Sequence, residues 1–321
     1  MPWLLFYKAL WYTGMKKKYL FISLLLCSSA CFSSCGNSKN QWNFNHGVVP
    51  STNKDKSLSF YGMYPQSLVT DHDTLVYLND GSYETEHGYA KYNANYYIKD
   101  IAHPQQGAKF YNDEDIIDGK YYWFSVERIN WVVLKITQVD YIVTSFALLD
   151  VCRYNDNYEG VDEQGKYANN YEYSYSRSYL NDGFLNRAFM LNDEYLNVST
   201  VDNSLSECHD KENNPYVSNN TEDRIFSLSY EDILNRYEIL DINNENNRLA
   251  AKASDYAKAK GARIENNYGY YYLRTPSDNI SNQVYAVSPN GELLEANVNE
   301  EGYCLRPSLR MNIPKENISK K

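Results

Sequence analysis

The clearest run of apolar and β-branched positions lies in the middle of the chain, in "KYYWFSVERINWVVLKITQVDYIVTSFALLD". Residues 131–136 form a nearly continuous apolar run, and residues 141–144 form a second run that favours a strand. A mainly polar step at 137–140 separates the two runs, which predicts a tight antiparallel hairpin. Trp131 lies in the more continuous run and is expected in the core.

Short helices are predicted after this hairpin. Leu180, Phe184 and Ala188 recur every four residues, which places them on one face of a helix. The predicted cap residues are Ser174, Ser229 and Ser254 at helix N-termini and Gly261 at a C-terminus. The apolar residues expected to share one core are Trp131, Leu134, Leu180, Phe184, Leu273 and Leu309.

The order of these patterns predicts an α+β fold, because strands come first, short helices follow and strands return at the end. One domain of antiparallel strands with a few short helices is expected over 58–313, followed by a polar tail at 314–321. Between Thr70 and Gly107 the pattern is weak and polar, which predicts loops or an insertion.

The N-terminus has the architecture of a secretory signal. Residues 1–14 precede Met15 and are interpreted as an upstream extension, and residues 15–34 hold a Lys-rich start followed by a short apolar run. This segment resembles a bacterial lipoprotein signal, which implies a lipid anchor on Cys35, with Cys31 as the rival acceptor. The polar stretch 35–57 is expected to be a flexible tether, which would place the protein outside the cytoplasm on a bacterial membrane.

Charge and composition exclude some partners. The chain has 321 residues and a formal net charge of -10, and its first 34 residues contain four Lys and no acid, so the remainder is more acidic still. Nucleic acid and anionic membrane surfaces are therefore not expected partners. The abundant Tyr, 33 residues, is consistent either with ligand recognition or with AT-rich coding.

Cysteine and histidine give no strong catalytic or metal motif. Beyond the signal, Cys152, Cys208 and Cys304 remain, so at most one disulfide is expected and no CxxC is present. No two histidines have the spacing of a zinc site. "NDNYEGVDEQGK" resembles a calcium loop, but its twelfth place is Lys166 where a bidentate Glu is required, so calcium is disfavoured and no cofactor is expected.

A set of short motifs occurs in a fixed order: "FYGMYPQSLV", "WVVLKI" with "SFALLDVCRYN", "SRSYLNDGFLNRAF", "SDYAKAKGA", "YYYLRTP" and "YCLRPSL". Together they resemble the family called domain of unknown function 6273, over 60–309. The motif residues assigned a structural role are Trp131, Asp150, Leu180, Phe184, Arg274, Pro276, Arg306 and Pro307. The resemblance implies a secreted or surface protein, and it implies no particular activity.

The closing pattern of the chain is also similar to that of C-type-lectin-like and formylglycine-generating-enzyme-like domains. This similarity implies a lectin-like architecture. The enzymes work through a pair of nearby cysteines that binds copper, and Cys304 has no close partner in sequence. Enzymatic activity is therefore disfavoured.

The segment "NNYGYYYLRTPSDNISNQ" holds the candidate ligand-binding residues, which are Tyr270, Tyr271, Tyr272, Asn279 and Asn282. In a lectin-like fold this region forms the binding face, where rings stack on sugars and amides offer both a donor and an acceptor. A solvated loop is the alternative. Arg274 lies two residues before Pro276 and Arg306 lies directly before Pro307, both in apolar surroundings. Both arginines are expected to brace loops, with ligand contact as the alternative.

These observations favour a lipid-tethered surface protein that carries a non-catalytic, lectin-like ligand-binding or adhesion module, whose ligand is an extracellular glycan or protein. The alternatives are a purely structural envelope protein and, less favoured, an enzyme of the formylglycine-generating type.

Overall fold

A computed structural model describes residues 51–54, 57–156, 161, 165–189, 195–241 and 248–312. Several predicted features lie outside these residues: the upstream extension 1–14, the signal 15–34 with Cys31, the lipidation residue Cys35 and the tail 314–321. The strands are β1 (Ser51–Thr52), β2 (Leu58–Leu68), β3 (Glu84–Glu86), β4 (Tyr89–Tyr92), β5 (Asn95–Ile101), β6 (Tyr121–Ile136), β7 (Asp140–Ser145), β8 (Asp150–Val151), β9 (Ser199–Val201), β10 (Thr221–Asp223), β11 (Ile225–Phe226), β12 (Ile264–Glu265), β13 (Tyr268–Gly269), β14 (Tyr271–Pro276), β15 (Gln283–Val287), β16 (Leu293–Asn297), β17 (Cys304–Leu305) and β18 (Ser308–Asn312).

The helices are short and separate the early strands from the late ones. The α-helices are α1 (His72–Asp80), α2 (Tyr175–Tyr179), α3 (Leu185–Ala188) and α4 (Asp255–Ala259). The π-helical turns are Leu180–Phe184 and Asp232–Arg236, and the 3₁₀ turns are Tyr171–Tyr173, Leu205–Glu207 and Glu238–Leu240. The predicted α+β class, with antiparallel strands and a few short helices, is confirmed.

A nine-stranded sheet is organised around β6, which pairs antiparallel with β2, β5 and β7. β7 also pairs with β18, so the last described strand lies directly beside the predicted hairpin. The hairpin itself is confirmed, since Ile136 lies opposite Tyr141 in the register of β6 and β7. A second sheet runs in the order β16, β15, β14, β17 and β8, and only its β14–β17 pair is parallel.

Helix boundaries follow the predicted caps. The Ser174 and Ser254 side chains accept hydrogen bonds from the first turns of α2 and α4, and Ser229 Oγ accepts from the Asp232 backbone N–H at 3.0 Å. Gly261 follows α4 with φ near 100°, the left-handed conformation that ends a helix. The predicted helix face at 180–188 is also buried, although Leu180–Phe184 winds as a π-helix.

Two predictions differ from the structure. Loops or an insertion were predicted between Thr70 and Gly107, and the prediction of loops is wrong, because the segment contains α1, β3, β4 and β5. Its strands lie at a sheet edge, and their half-exposed polar positions weaken the alternation that identifies a strand. The tether was predicted to extend to residue 57, yet Ser51 and Thr52 pair with β2 as β1, so the ordered part begins earlier.

The predicted single core divides into separate hydrophobic clusters. Trp131, Leu180, Phe184 and Leu309 lie together under the larger sheet. Leu273 belongs to a second cluster against the smaller sheet, and Leu134 is only partly buried beside it. This second cluster lies between the two sheets, since it also contains Ile142 of β7, and the linear pattern of apolar residues did not show the division.

Candidate functional site

Two of the predicted ligand-binding tyrosines are core residues. Tyr271 is 1% exposed, and its hydroxyl donates to the Leu249 carbonyl at 2.8 Å. Tyr272 is 4% exposed, stacks on Tyr303 with ring centroids 4.4 Å apart and donates to the Asn297 carbonyl at 2.7 Å. Neither ring has a face open to a ligand, so their assignment to a binding surface is wrong. A buried Tyr that finds a carbonyl for its hydroxyl packs as well as Phe.

The remaining predicted residues do not form one surface. Tyr270 precedes β14 and is half-buried, whereas Asn279 and Asn282 follow its far end, Asn279 exposed and Asn282 partly so. A strand rises about 3.3 Å per residue, so the six residues of β14 separate the two ends by about 20 Å. The Asn279 amide is also used within the loop, donating to Glu295 Oε1 at 3.2 Å.

Arg274 braces loops, as predicted, through a buried ion network. It is 4% exposed and donates to Asp232 Oδ2 at 2.8 Å and to Glu207 Oε2 at 3.0 Å. Arg236 pairs with the same two carboxylates, so two positive charges meet two negative charges. Burial opposes ionisation of Asp232, but the guanidinium groups of Arg274 and Arg236 outweigh it and hold the pKa of this carboxyl below its usual value.

Arg306 fulfils the same prediction with neutral partners. It is 4% exposed and donates to the carbonyls of Leu249, Arg248 and Ser145 at 2.6, 2.7 and 3.1 Å, respectively. Pro307 continues the brace, since its carbonyl accepts from the Ser145 backbone N–H at 2.8 Å. The two arginines are therefore structural in their contacts, and the alternative of ligand contact has no support from their positions.

The three cysteines described by the structure are free and buried. Burial raises the pKa of each thiol, to about 12 for Cys208 and further for Cys152 and Cys304. A cysteine nucleophile requires a thiolate, which these surroundings oppose at neutral pH. The sequence leaves open whether two of these cysteines form a disulfide. In the structure all three are free thiols.

A concave site is formed instead by segments that are distant in sequence. It is a cleft of about 360 Å³, in the range of small-molecule sites. We call it the glycine cleft, and the residues that define it here are His103, Cys152, Arg153, Tyr175, Lys260, Gly261, Glu301 and Gly302. They come from the loop after β5, the segment after β8, the start of α2, the end of α4 and the turn before β17.

Two glycines let these segments approach one another. A Cβ on Gly261 would lie 2.9 Å from the His103 carbonyl oxygen, and one on Gly302 would lie 2.9 Å from the Cβ of Arg263. Both glycines have positive φ, 100° and 81°. The turn at Gly302 also brings in Tyr270, because Arg263 bonds to Gly302 and its guanidinium lies 4.5 Å from the Tyr270 ring centre.

The rim of the cleft carries positively charged side chains, negatively charged side chains and one exposed aromatic ring. Arg153 pairs with Glu301 at 2.7 Å and with Asp156 at 3.8 Å, and Lys260 pairs with Asp100 at 3.2 Å. Tyr175 is 47% exposed and presents its ring at the same rim. A polar ligand would therefore meet donors, acceptors and an apolar face together.

A buried polar network supports the cleft from inside. Asp150, a predicted motif residue, accepts from the hydroxyls of Tyr64 and Tyr179, the latter at 2.7 Å. Tyr256 donates to Asp100 at 2.9 Å, and Asp100 also binds Lys260 of the cleft. Burial raises the pKa of Tyr64 and Tyr256, so at neutral pH these phenols stay protonated and act as donors rather than bases.

Within the described ranges, no group of three or more His, Cys, Asp or Glu side chains could hold a metal ion. Much of the calcium-loop resemblance, at 157–160 and 162–164, lies outside them. No helix in the described part of the chain is long and apolar enough to cross a bilayer.

Comparison with known proteins assigns the family. The model of a domain of unknown function, DUF6273, matches residues 136–313, and the chain belongs to this family. The matched segment contains most of the glycine cleft, including Cys152, Tyr175 and Gly302. Neither the curated proteins nor the solved structures gave a match, so the resemblance to C-type-lectin-like and formylglycine-generating-enzyme-like domains stays a prediction.

Sequence reasoning did not find the glycine cleft. Its residues belong to five segments. Cys152 and Arg153 lie in the motif "SFALLDVCRYN" and Lys260 and Gly261 in "SDYAKAKGA", but neither motif indicates that the segments meet. The available signals were Gly261, identified only as a helix end, and the Gly302 turn before "YCLRP". Tyr270 is the predicted ligand-binding residue that remains near the cleft.

Proposed function

We propose that this protein is a lipid-tethered lipoprotein on the outer side of a bacterial membrane, whose folded domain binds a polar extracellular ligand without catalysis. The observation that supports this proposal is the glycine cleft, a concave site of about 360 Å³ with a mixed-charge rim and an exposed Tyr175 ring. The proposed lipid anchor is supported by the signal-like segment of the sequence that ends at Cys35.

The chemistry of the rim favours a glycan as the ligand. Sugar hydroxyls both donate and accept, and the rim offers the Arg153 guanidinium beside the Glu301 and Asp156 carboxylates. A sugar ring also has an apolar face that stacks on an aromatic side chain, which Tyr175 presents. A protein ligand would use the same groups through its backbone and polar side chains.

The side chains near the cleft support binding over catalysis. Burial raises the pKa of the Cys152 thiol, and nearby Asp150 raises it further, so this thiol is a poor nucleophile. The Asp150 carboxylate is occupied by two tyrosine hydroxyls. His103 lines the same cleft and lies 3.0 Å from Asp118, but the raised pKa of the Cys152 thiol opposes the thiolate that a cysteine nucleophile beside this pair would require.

Substituting Tyr175→Ala is expected to abolish ligand binding without unfolding the domain. The ring is 47% exposed, so its loss costs little stability, whereas stacking on a sugar is lost entirely. The full chain in detergent would be applied to arrays of glycans and bacterial surface proteins. Tyr173→Ala is the matched control, since this ring is 50% exposed and does not line the cleft.

Binding that survives Tyr175→Ala, or that Tyr173→Ala removes equally, would contradict the assignment of the glycine cleft. If no glycan or protein binds, the purely structural envelope role becomes the better explanation. Substrate turnover that depends on Cys304 would instead restore the enzyme alternative.

Cys35→Ala is expected to abolish lipid attachment and release the protein from the membrane fraction. The test is metabolic labelling of cells with an alkynyl fatty acid, followed by fractionation. Cys31→Ala is the control and should label like the natural chain. Labelling that persists in Cys35→Ala and disappears in Cys31→Ala would move the anchor to the rival residue.

A further inference from the structure

A second cleft lies at the opposite end of the sequence from the family-matched segment. It has a volume of about 430 Å³ and lies between the end of β2, helix α1 and the start of β6. We call it the lysine cleft, and the residues that define it here are Thr70, Asn79, Lys99, Glu114, Lys120 and Tyr121. All of them precede residue 136 and so lie outside the family-matched segment, and the two clefts share no lining residue.

The register of the sheet places the cleft's aromatic and basic groups together. Lys99 of β5 lies opposite Trp123 of β6, and Tyr121 is two residues before Trp123 on the same face. The Trp123 indole N–H donates to Asn79 Oδ1 of α1 at 2.9 Å, which fixes the helix over this face. The arrangement is therefore set by a strand pair and a helix rather than by a loop.

Two ammonium groups are held over aromatic rings without a carboxylate partner. Lys99 Nζ lies 5.5 Å from the Trp123 ring centre, and Lys120 Nζ lies 4.7 Å from that of Tyr122. Among the described residues neither ammonium forms an ion pair, whereas the neighbouring Lys109 pairs with Asp115 at 3.3 Å. A cation–π contact positions an ammonium while leaving its N–H donors available.

The local charge differs in sign from that of the chain. Two lysines and one carboxylate, Glu114, line the cleft, which leaves one net positive charge in a chain of net charge -10. Such a site attracts an anion, and the single surplus charge matches a ligand with one acidic group better than a polyanion.

The other lining groups are those that recognise a sugar. Tyr121 is 59% exposed and offers an aromatic face. The Asn79 amide nitrogen stays available as a donor because its oxygen accepts from Trp123, and the exposed Thr70 hydroxyl both donates and accepts. Apolar Leu68 and Val69 form the rest of the wall.

We propose that the lysine cleft binds an acidic sugar, a saccharide that carries a carboxylate or a phosphate group. Lys99, which lies on the same face of the sheet as Tyr121, contacts the acidic group, and Lys120 of the same cleft adds a second, more distant charge contact. The Tyr121 ring stacks on the sugar face, and Asn79 and Thr70 bind hydroxyls. Two probes distinguish the source of the acid: a trisaccharide that carries one galacturonic acid residue, and glucose 6-phosphate.

The test is titration calorimetry of the full chain in detergent, with neutral maltotriose as the control ligand. At least one acidic probe should bind saturably and maltotriose should not, and added NaCl should weaken the binding. The double variant Lys99→Gln, Lys120→Gln should bind about tenfold more weakly, because two exposed charge contacts are lost. Lys109→Gln, which removes a lysine outside the cleft, should leave the affinity unchanged.

Three outcomes would overturn the proposal: maltotriose binds as tightly as both acidic probes, neither acidic probe binds saturably, or the double variant keeps its affinity. Thermal unfolding of each variant shows that the exposed substitutions leave the fold intact. Tyr175→Ala separates this proposal from the glycine cleft, since acidic-sugar binding should survive it even if every glycine-cleft ligand is lost.

Discussion

Arg274→Met is expected to lower the free energy of unfolding by about 3–5 kcal/mol at neutral pH, because it removes one partner of a buried ion network. Glu207 is 3% exposed and Asp232 is 2% exposed, so neither carboxylate can turn to water for compensation. Arg236 remains, but one guanidinium then faces two carboxylates. Met retains most of the stem volume, so the loss reports the charge rather than a cavity. Urea unfolding followed by circular dichroism measures it.

The cost of this substitution should depend on pH. In the natural chain the folded-state pKa of Asp232 is lowered, so the stability it contributes is present above its unfolded pKa of about 4 and is lost as pH falls through the folded value. Without Arg274, the folded-state pKa of Asp232 rises, and protonation relieves the unpaired charge. The difference between the natural chain and Arg274→Met should therefore shrink below about pH 5.

Arg310→Met is the matched control for this prediction. Arg310 is 43% exposed along its side chain and lies 3.6 Å from Asp140, whose side chain is 8% exposed. Because the Arg310 guanidinium is half-exposed to water and this contact is longer, its loss should cost less than that of Arg274. If both variants lose the same small amount, or if the Arg274→Met loss does not change between pH 4 and pH 8, the buried network is not a major source of stability.

Trp131→Ala is expected to cost about 3–5 kcal/mol through the cavity it leaves. The side chain is 0% exposed, stacks on Phe189 with ring centroids 6.3 Å apart and donates from its indole N–H to the Tyr61 carbonyl at 2.8 Å. The substitution therefore removes packing and also leaves a buried carbonyl without this donor. Denaturant unfolding at constant pH measures the loss.

Trp131→Phe is the graded control, because it keeps an aromatic ring but cannot donate to Tyr61. Its loss should fall between those of the natural chain and Trp131→Ala. A Trp131→Ala variant that unfolds within about 1 kcal/mol of the natural chain would show that the surrounding sheet collapses onto the vacated space.

Local signals in the sequence were sufficient for much of the fold. The hairpin around 137–140 and the caps at Ser174, Ser229 and Ser254 depend on residues within a few positions of one another. The segment 70–107 was missed because an edge of a sheet tolerates polar residues on its open face, which hides the period of two.

The candidate site was harder to predict because burial is a tertiary property. Tyrosines such as Tyr271 and Tyr272 are common at binding surfaces. Here, however, tertiary contacts with Leu249 and Tyr303 bury them in the interior. The glycine cleft depends on backbone approaches at Gly261 and Gly302, which a sequence shows only as two small residues. Its five segments are spread over residues 103–302 and meet only in the tertiary structure.

The family-matched segment begins at the end of β6 and so excludes most of this strand, which has a consequence for folding. The matched segment starts at residue 136, the last residue of β6, while Ser308 of β18 bonds to Thr144 of β7 across 164 positions. A fragment cut at that boundary would keep β7 and its partner β18. It would lose β6, the other partner of β7, together with the Trp131 ring beneath the sheet. Its bare strand edge would be a template for aggregation. The sheet that contains β7 and β18 therefore extends beyond the segment by which the family is recognised, and its pairings of high sequence separation are expected to slow folding.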